Sequence, residues 1–415
     1  TSNRRPCMKI LHTSDWHLGN VLHGRKRYDE YERFLHWLVG CIRDEQIDVL
    51  LIAGDIFDTT APSNRAQELY FHFLNRVAAI HGLQVVVTGG NHDSPSLLNA
   101  PKPLLRQLRI HVVGAVTPDV SDEVILLRSG DSLESVIVCA VPYLRDRDIR
   151  TVEPGESIDD KMTKIQEGIS DHYRQVWTEA QSLRGDRAIP IIAMGHLFLA
   201  GCSPNGDERV RELYIGTLDG VDPGSILHGF DYLALGHLHE HRKVAGNPWC
   251  RYSGAPIPLG FGEAGQEKKV VVIDLFEGGT RSIREITVPC FLRLQKIQGA
   301  ISAIEQTLRE LGAEEEQVWV EVVAESDSTA AGLQARLHEV VRNSPVEILK
   351  IENAALTNAV LRAMEEGEHL GDLDERDVFS RCLDEHGITG GDRDQLFALF
   401  QEILVAVREE DHYAE

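Results

Sequence analysis

The chain reads as an α/β protein of the layered α+β kind, and three observations carry that reading. Over roughly the first 280 residues, short apolar runs alternate with stretches of helical spacing, the pattern of strands and helices stacked in layers. Several of those runs end abruptly in glycine followed by a carboxylate, amide or imidazole. Near Pro289 the texture changes, and a compact strand–helix–strand–helix–strand unit begins.

The predicted strands of the first region are residues 9–13, 49–53, 84–88, 136–140, 190–194, 232–235 and 269–275. Near-continuous runs of Val, Ile and Leu belong to strands covered on both faces. Residues 158–183 have helical spacing and read as an insertion between strands, bounded by Pro154-Gly155 and Gly185-Asp186. Residues 64–80 and 95–108 each carry a helical apolar stripe, whose plain reading is internal core. Beyond Pro289 the expected elements are strand 291–297, helix 300–311, strand 317–324, helix 331–343 and strand 346–351. Residues 365–377 are acidic and linker-like, and short helices follow at 376–385 and 392–408, separated by Gly387 and Gly390-Gly391. The expected organisation is a leader or tag at 1–7, a main domain at 8–286, a capping domain at 287–353, a linker at 354–375 and a C-terminal helix pair at 376–415.

Composition narrows the class. A chain of 415 residues with 42% hydrophobic and 26% charged residues has material for a sizeable core and more than one folding unit. No apolar run approaches the ~20 residues of a membrane helix, and no export signal stands at the start, so no membrane association is expected. Seven widely spaced cysteines suggest neither a disulfide framework nor a zinc–thiolate site, and fit a reducing cytoplasm. The formal charge of −23 argues against a surface that simply coats nucleic acid, so any anionic substrate needs local positive charge.

The ends of the strands supply candidates. Residues 49–53 run into Gly54-Asp55, residues 84–88 into Gly89-Gly90-Asn91-His92-Asp93, residues 190–194 into Gly195-His196, and residues 232–235 into Gly236-His237-Leu238-His239. The strand at 9–13 leads to Ser14-Asp15-Trp16-His17. Glycine permits a sharp turn at each such end, and ligands of open α/β sheets gather outside the carboxyl ends of strands. Alternation in extended chain pairs Asp15 with His17 and His237 with His239. Oxygen and imidazole donors without thiolate suit manganese, magnesium, iron or zinc.

In this order, Asp-x-His, Gly-Asp-x-x-Asp, Gly-Asn-His-Asp, Gly-His and Gly-His-x-His resemble the calcineurin-like metallophosphoesterase superfamily. Ile-Leu-His-Thr-Ser-Asp-Trp-His-Leu-Gly (10–19), Gly-Asp-Ile-Phe-Asp-Thr (54–59) and the segment 252–268 resemble its SbcD nuclease family. The resemblance implies a four-layer metallophosphoesterase β-sandwich flanked by helices. It implies two divalent metal ions, Mn²⁺ first and Mg²⁺ second. Asp15, His17, Asp55 and His239 would hold one, and Asp55, Asn91, His196 and His237 the other, with Asp55 bridging and His92 the general acid. Two of those seven ligands are anionic, so the loaded site would be locally cationic within an acidic protein. The implied activity is a DNA nuclease, double-strand exonuclease and single-strand or hairpin endonuclease, in end processing, repair and recombination. The implied partners are DNA, a second copy (with residues 64–80 and 95–108 near the dimer helices) and an SbcC-type coiled-coil ATPase, in a heterotetramer of the cytoplasm and nucleoid.

Other features receive plainer readings. His12 lies within a strand and reads as structural; His241 reads as a solvent or phosphate contact; Asp58 and Asp93 read as partners orienting imidazoles or backbone. Gly260-Phe261-Gly262-Glu263-Ala264-Gly265 matches the dinucleotide fingerprint in letters, but a predicted strand and no helix follows it. No Gly-Lys-Ser/Thr loop exists, so ATP hydrolysis falls to a partner. Arg25, Lys26 and Arg27 are the candidate DNA contacts, ahead of the cluster at 145–150. Leu396, Phe400, Ile403 and Val407 lie on an apolar helix face that must pack on its own domain or on a partner, and the resemblance implies that the partner is the ATPase's coiled coil. A small-molecule phosphodiesterase or phosphatase with a similar metal core, and a non-catalytic scaffold, are the alternatives; the intact metal set and His92 speak against the scaffold.

Overall fold

The computed structural model describes residues 8–128, 135–150, 156–200, 221–276, 281–325 and 330–353, with positions 379, 380, 383, 393, 396, 397 and 399–401 beyond them. The leader at 1–7, the linker at 354–375, Ile403 and Val407 lie outside the described residues. The chain divides into two compact units, Thr1–Phe291 and Leu292–Glu415.

In the first unit the strands are β1 (Met8–Thr13), β2 (Val21–Leu22), β3 (Arg25–Lys26), β4 (Val49–Ala53), β5 (Gln84–Thr88), β6 (Ile110–Val113) and β7 (Val124–Arg128). They continue with β8 (Ser135–Ala140), β9 (Ile191–His196), β10 (Tyr232–Gly236), β11 (Arg242–Val244), β12 (Asn247–Tyr252), β13 (Lys269–Leu275) and β14 (Arg281–Thr287). Two six-stranded sheets result, ordered β14-β13-β1-β4-β5-β6 and β11-β12-β10-β9-β8-β7. In the first, β1, β4, β5 and β6 run parallel, and in the second β8, β9, β10 and β12 do.

Strand alternation explains the layers. Val49, Leu51 and Ala53 of β4 join Ile192 and Met194 of β9 and Tyr232 and Ala234 of β10 in the core between the sheets. Leu50 and Ile52 face the other way, toward α1 (Tyr28–Asp44) and α2 (Asn64–Ala78). Each helix presents an apolar stripe at i, i+3, i+4, i+7 spacing: Tyr31, Phe34, Leu35 and Leu38 on α1, and Ala66, Leu69, Tyr70 and Phe73 on α2. Ser63 caps α2 by accepting from the Ala66 amide at 3.2 Å. On the far side, Ile137, Cys139, Ile191, Ala193, Leu233 and Leu235 meet Ile165, Ile169, Tyr173, Val176 and Ala180 of the helix Ile158–Arg184. The architecture is therefore helix, sheet, sheet, helix, as expected.

Two expectations need correction. The stretch at 158–183 is the outer layer of the second sheet rather than an insertion, because its apolar stripe is buried against that sheet. The stretch at 95–108 forms two short helices, Pro95–Asn99 and Lys102–Gln107, and not one. Pro101 and Pro103 lack the amide a continuous helix needs, and Asn99 instead accepts from the Gly114 amide at 3.0 Å. Leu98 and Leu105 are buried there, but Leu104 is 68% and Leu108 41% exposed, so the stripe is not wholly core.

In the second unit, β15 (Arg293–Ala300), β16 (Val318–Glu325) and β17 (Val346–Asn353) form a parallel sheet in that order. The helices Ile301–Gly312 and Ala330–Val340 contribute Ile304, Leu308, Leu311, Leu333 and Leu337 to its core. Among the described residues no helix is long and apolar enough to cross a membrane.

Leu51 is fully buried between the sheets. Leu51→Ala is expected to cost about 2–5 kcal/mol, read as a lower urea midpoint. A loss under about 1 kcal/mol would contradict close packing of the two sheets.

Candidate metal centre

The site is built where parallel strands end. After β1 the chain continues beside the segment after β4: the amides of Asp15, His17 and Leu18 donate to the carbonyls of Gly54, Asp55 and Ile56 at 3.1, 3.0 and 2.9 Å. Trp16, between the two candidate ligands, is wholly buried against Phe34 and Phe73 and anchors the turn in the core. Asp15 and His17 then face the opposite way, toward the second sheet.

Four of the ten non-glycine residues with positive φ among the described residues are Asp15 (53°), His17 (48°), Asp55 (50°) and His237 (102°). Such backbone costs roughly 1–3 kcal/mol per residue and persists where the surroundings impose it. The left-handed turn therefore falls largely on the ligand candidates themselves. Gly54 does have φ +82°, but Gly236 serves close approach: a Cβ there would lie 1.9 Å from the Ala53 carbonyl oxygen, across the two sheets.

The side chains converge. Asp15, His17 and His239 place donor atoms together, as do Asp55, His196 and His237, and all six are buried. Asp55 Oδ2 lies 3.1 Å from His196 Nε2 and 3.6 Å from His17 Nε2, so it stands between the two groups. Asn91 Oδ1 lies 3.0 Å from His196 Nε2 and 3.1 Å from His237 Nδ1. The His237 amide donates to Asp15 Oδ1 at 2.8 Å, which ties the first and last ligand segments together. Asp93 accepts from the amides of Ile56, Phe57 and Gly90 and locks the Asp55 turn to the Asn91 turn.

Electrostatics fit a cation. His196 Nδ1 donates to the Ala53 carbonyl at 3.0 Å, so a neutral ring would turn the Nε2 lone pair toward the oxygens of Asp55 and Asn91. Acceptors facing acceptors at such distances need a positive charge among them. Burial pulls His196 down, but the charge and hydrogen bond of Asp55 outweigh it and push the imidazole up to about 9. Burial pushes the Asp55 carboxyl up, yet His196, with His17 and His92, holds it well below the usual carboxylate range. Burial, reinforced by the charge of His196, lowers His237 to about 3 and leaves it neutral, the form that ligates. His17 Nδ1 is fixed by Asp58 at 3.1 Å, and its buried Nε2 has no hydrogen-bond partner among the described residues. That donor set fits divalent metal.

His92 stands beside His17 and Asp55. Its Nδ1 donates to the Asp58 carbonyl at 2.9 Å, which leaves Nε2 for other work. Burial lowers its proton affinity, partly offset by Asp55, so a proton carried there is readily given up.

Several sequence readings change. Arg27 is 2% exposed, with Nη1 on the Pro258 carbonyl at 2.7 Å and Nε on Glu30 at 2.8 Å; it is buried and holds the fold together rather than standing at the surface. Arg25 and Lys26 are exposed on the β2–β3 hairpin. His241 pairs with Glu285 at 3.1 Å and does not stand ready for solvent or phosphate, because β14 offers it a carboxylate. Phe400 stacks on Phe379 at 4.0 Å and is turned into its own unit, whereas Leu396 and Leu399 are exposed. His12 is structural as expected, bonded to the Tyr232 hydroxyl and the Leu235 carbonyl. Glu263, which bonds His239, went unrecognised, since an acid in a glycine-rich segment has no period to mark it.

The chain is similar to known proteins along nearly its whole length. The profile described as calcineurin-like phosphoesterase matches residues 8–241. A second, described as type 5 capsule protein repressor C-terminal domain, matches residues 290–387. An Escherichia coli K12 protein, named as the SbcD component of nuclease SbcCD, is 33% identical over 401 residues, 96% of this chain and 98% of its own. Proteins of the same name from Rhodobacter capsulatus and Bacillus subtilis are 36% and 34% identical, over 68% and 67% of this chain and 69% of each relative.

A Cβ on Gly54 would lie 2.1 Å from His196 Nδ1. Gly54→Ala is expected to displace that imidazole and lower the bound divalent metal, measured by mass spectrometry of the dialysed protein, with little change in circular dichroism. Unchanged metal content would contradict the placement of His196.

Proposed function

The chain belongs to the calcineurin-like phosphoesterase family, and from that premise we infer that it is a metal-dependent DNA nuclease, the SbcD component of an SbcCD-type complex. The observation that carries the reading is similarity to a relative named as that nuclease over 96% of the chain. In this reading Asp15, His17, Asp55 and His239 hold one divalent ion and Asp55, Asn91, His196 and His237 a second, with Mn²⁺ as the working metal. Bound metal supplies a Lewis acid for the phosphodiester and lowers the pKa of an attacking water.

The chain's own residues do the rest. Asp55, between the two clusters, is the shared carboxylate. Asp58 fixes two imidazoles at once, His17 through its carboxylate and His92 through its carbonyl. With Nδ1 so committed, His92 presents Nε2 to the leaving group and protonates the departing 3′-oxygen. Arg25 and Lys26, exposed on the β2–β3 hairpin that follows the first ligand segment, supply phosphate contacts in an otherwise acidic chain. The second unit positions duplex DNA, and the C-terminal apolar face at Leu396 and Leu399 docks on an SbcC-type coiled-coil ATPase. A homodimer through the region of α2 and the exposed Leu104 and Leu108, working in the cytoplasm at the nucleoid, completes the reading.

The test sets linear duplex DNA, a DNA hairpin and a small chromogenic phosphodiester beside one another with Mn²⁺. Cleavage of both DNA substrates is expected. Turnover of the small diester alone would move the chain to a small-molecule phosphodiesterase. In the same assay His92→Gln should keep its metal and cut DNA ~10²–10⁴-fold more slowly in single turnover. Loss of metal from that variant would make His92 a ligand, and normal cutting would end its role as acid.

A further inference from the structure

The loop between β12 and β13 carries two buried charges that the chemistry above does not use. Glu263 and Lys268 are each 6% exposed. One carboxylate oxygen of Glu263 faces His239 Nδ1 at 3.3 Å. The other accepts from Lys268 Nζ and from the Leu259 amide. Lys268 also donates to the His239 carbonyl at 3.2 Å and to Gln266 Oε1 at 3.2 Å. His239 is thus gripped twice, by its ring through Glu263 and by its backbone through Lys268. The loop is itself pinned, because Arg27 donates to the Pro258 carbonyl and His23 stacks on Phe261.

A buried ion pair is a poor source of net stability, since desolvation of both charges offsets their attraction. Its geometry here serves something else. A carboxylate can only accept, so His239 Nδ1 must carry the proton that faces Glu263, and the Nε2 lone pair is left for the cluster with Asp15 and His17. We propose that Glu263 is a positioning residue that fixes the tautomer and aim of His239, with Lys268 as its counter-charge, and so sets the metal affinity of the Asp15–His17–His239 group without touching the ion. The inference rests on the metal reading above.

The test is Mn²⁺ titration of the full chain by isothermal calorimetry, with the metal concentration giving half-maximal DNA cleavage measured in parallel. Glu263→Ala is expected to weaken one class of site roughly 10–100-fold and leave the other unchanged. Saturating Mn²⁺ should then recover the wild-type cleavage rate. Glu263→Gln keeps an acceptor oxygen of nearly the same shape but without charge, so it should show a smaller weakening of the same site, together with a lowered melting temperature because buried Lys268 loses its counter-charge. A Glu263→Gln protein that binds Mn²⁺ like wild type overturns the inference, whatever Glu263→Ala does. Equal weakening of both sites with a lowered melting temperature also overturns it, in favour of a merely structural role. A wild-type chain that takes up no Mn²⁺ would overturn the metal reading itself, and this inference with it.

Discussion

Asp55 follows the end of β4 in one sheet and His196 ends β9 in the other, and their side chains meet at 3.1 Å. The rest of the site depends on that crossing. It requires the two sheets to stack with the carboxyl ends of their parallel strands at a common edge, which the core of Leu51, Ala53, Ile192 and Met194 provides. It also requires the backbones to approach so closely that Gly236 has no room for a Cβ beside the Ala53 carbonyl. The paired sheets form a frame, and the frame forces ligand segments from both halves of the first unit into one small volume.

Forcing them there has a cost. Four candidate ligands sit in left-handed backbone, and two carboxylates and four imidazoles are buried together. The compensation is local and specific. Trp16 fills the core on one side of the first turn. Asp93 satisfies three amides, and the Asp58 carboxylate, Glu263 and the Ala53 carbonyl hold the rings of His17, His239 and His196 by the nitrogen that faces away from the cluster. Imidazoles fixed in this way have their remaining nitrogens aimed before any ion arrives, which lowers the ordering cost of binding.

The inner strands and the ligand segments were legible in the sequence because one physical rule writes both. A strand buried on both faces must be apolar throughout, and the polar residue just past its end has only the sheet edge to face. The edge strand β14 lacks that signature, with only Ile283 and Ile286 apolar among Arg281–Thr287. Side-chain partnerships over long separations were not legible either. Arg27 has the look of a surface charge in the sequence, yet the Pro258 carbonyl, far along the chain, lies beneath it. Phe400 has the look of a docking residue, yet Phe379 stacks on it. Periodicity reports which face a residue lies on, and it is silent about what has folded against that face.

The central claim is that a single carboxylate joins two halves of one metal centre. Crystals grown with Mn²⁺ and measured at the manganese edge test it most directly. Two anomalous peaks about 3.5–4 Å apart, with Asp55 between them, are the predicted result. A lone peak, or two peaks with Asp55 bound to neither or to one alone, would contradict it.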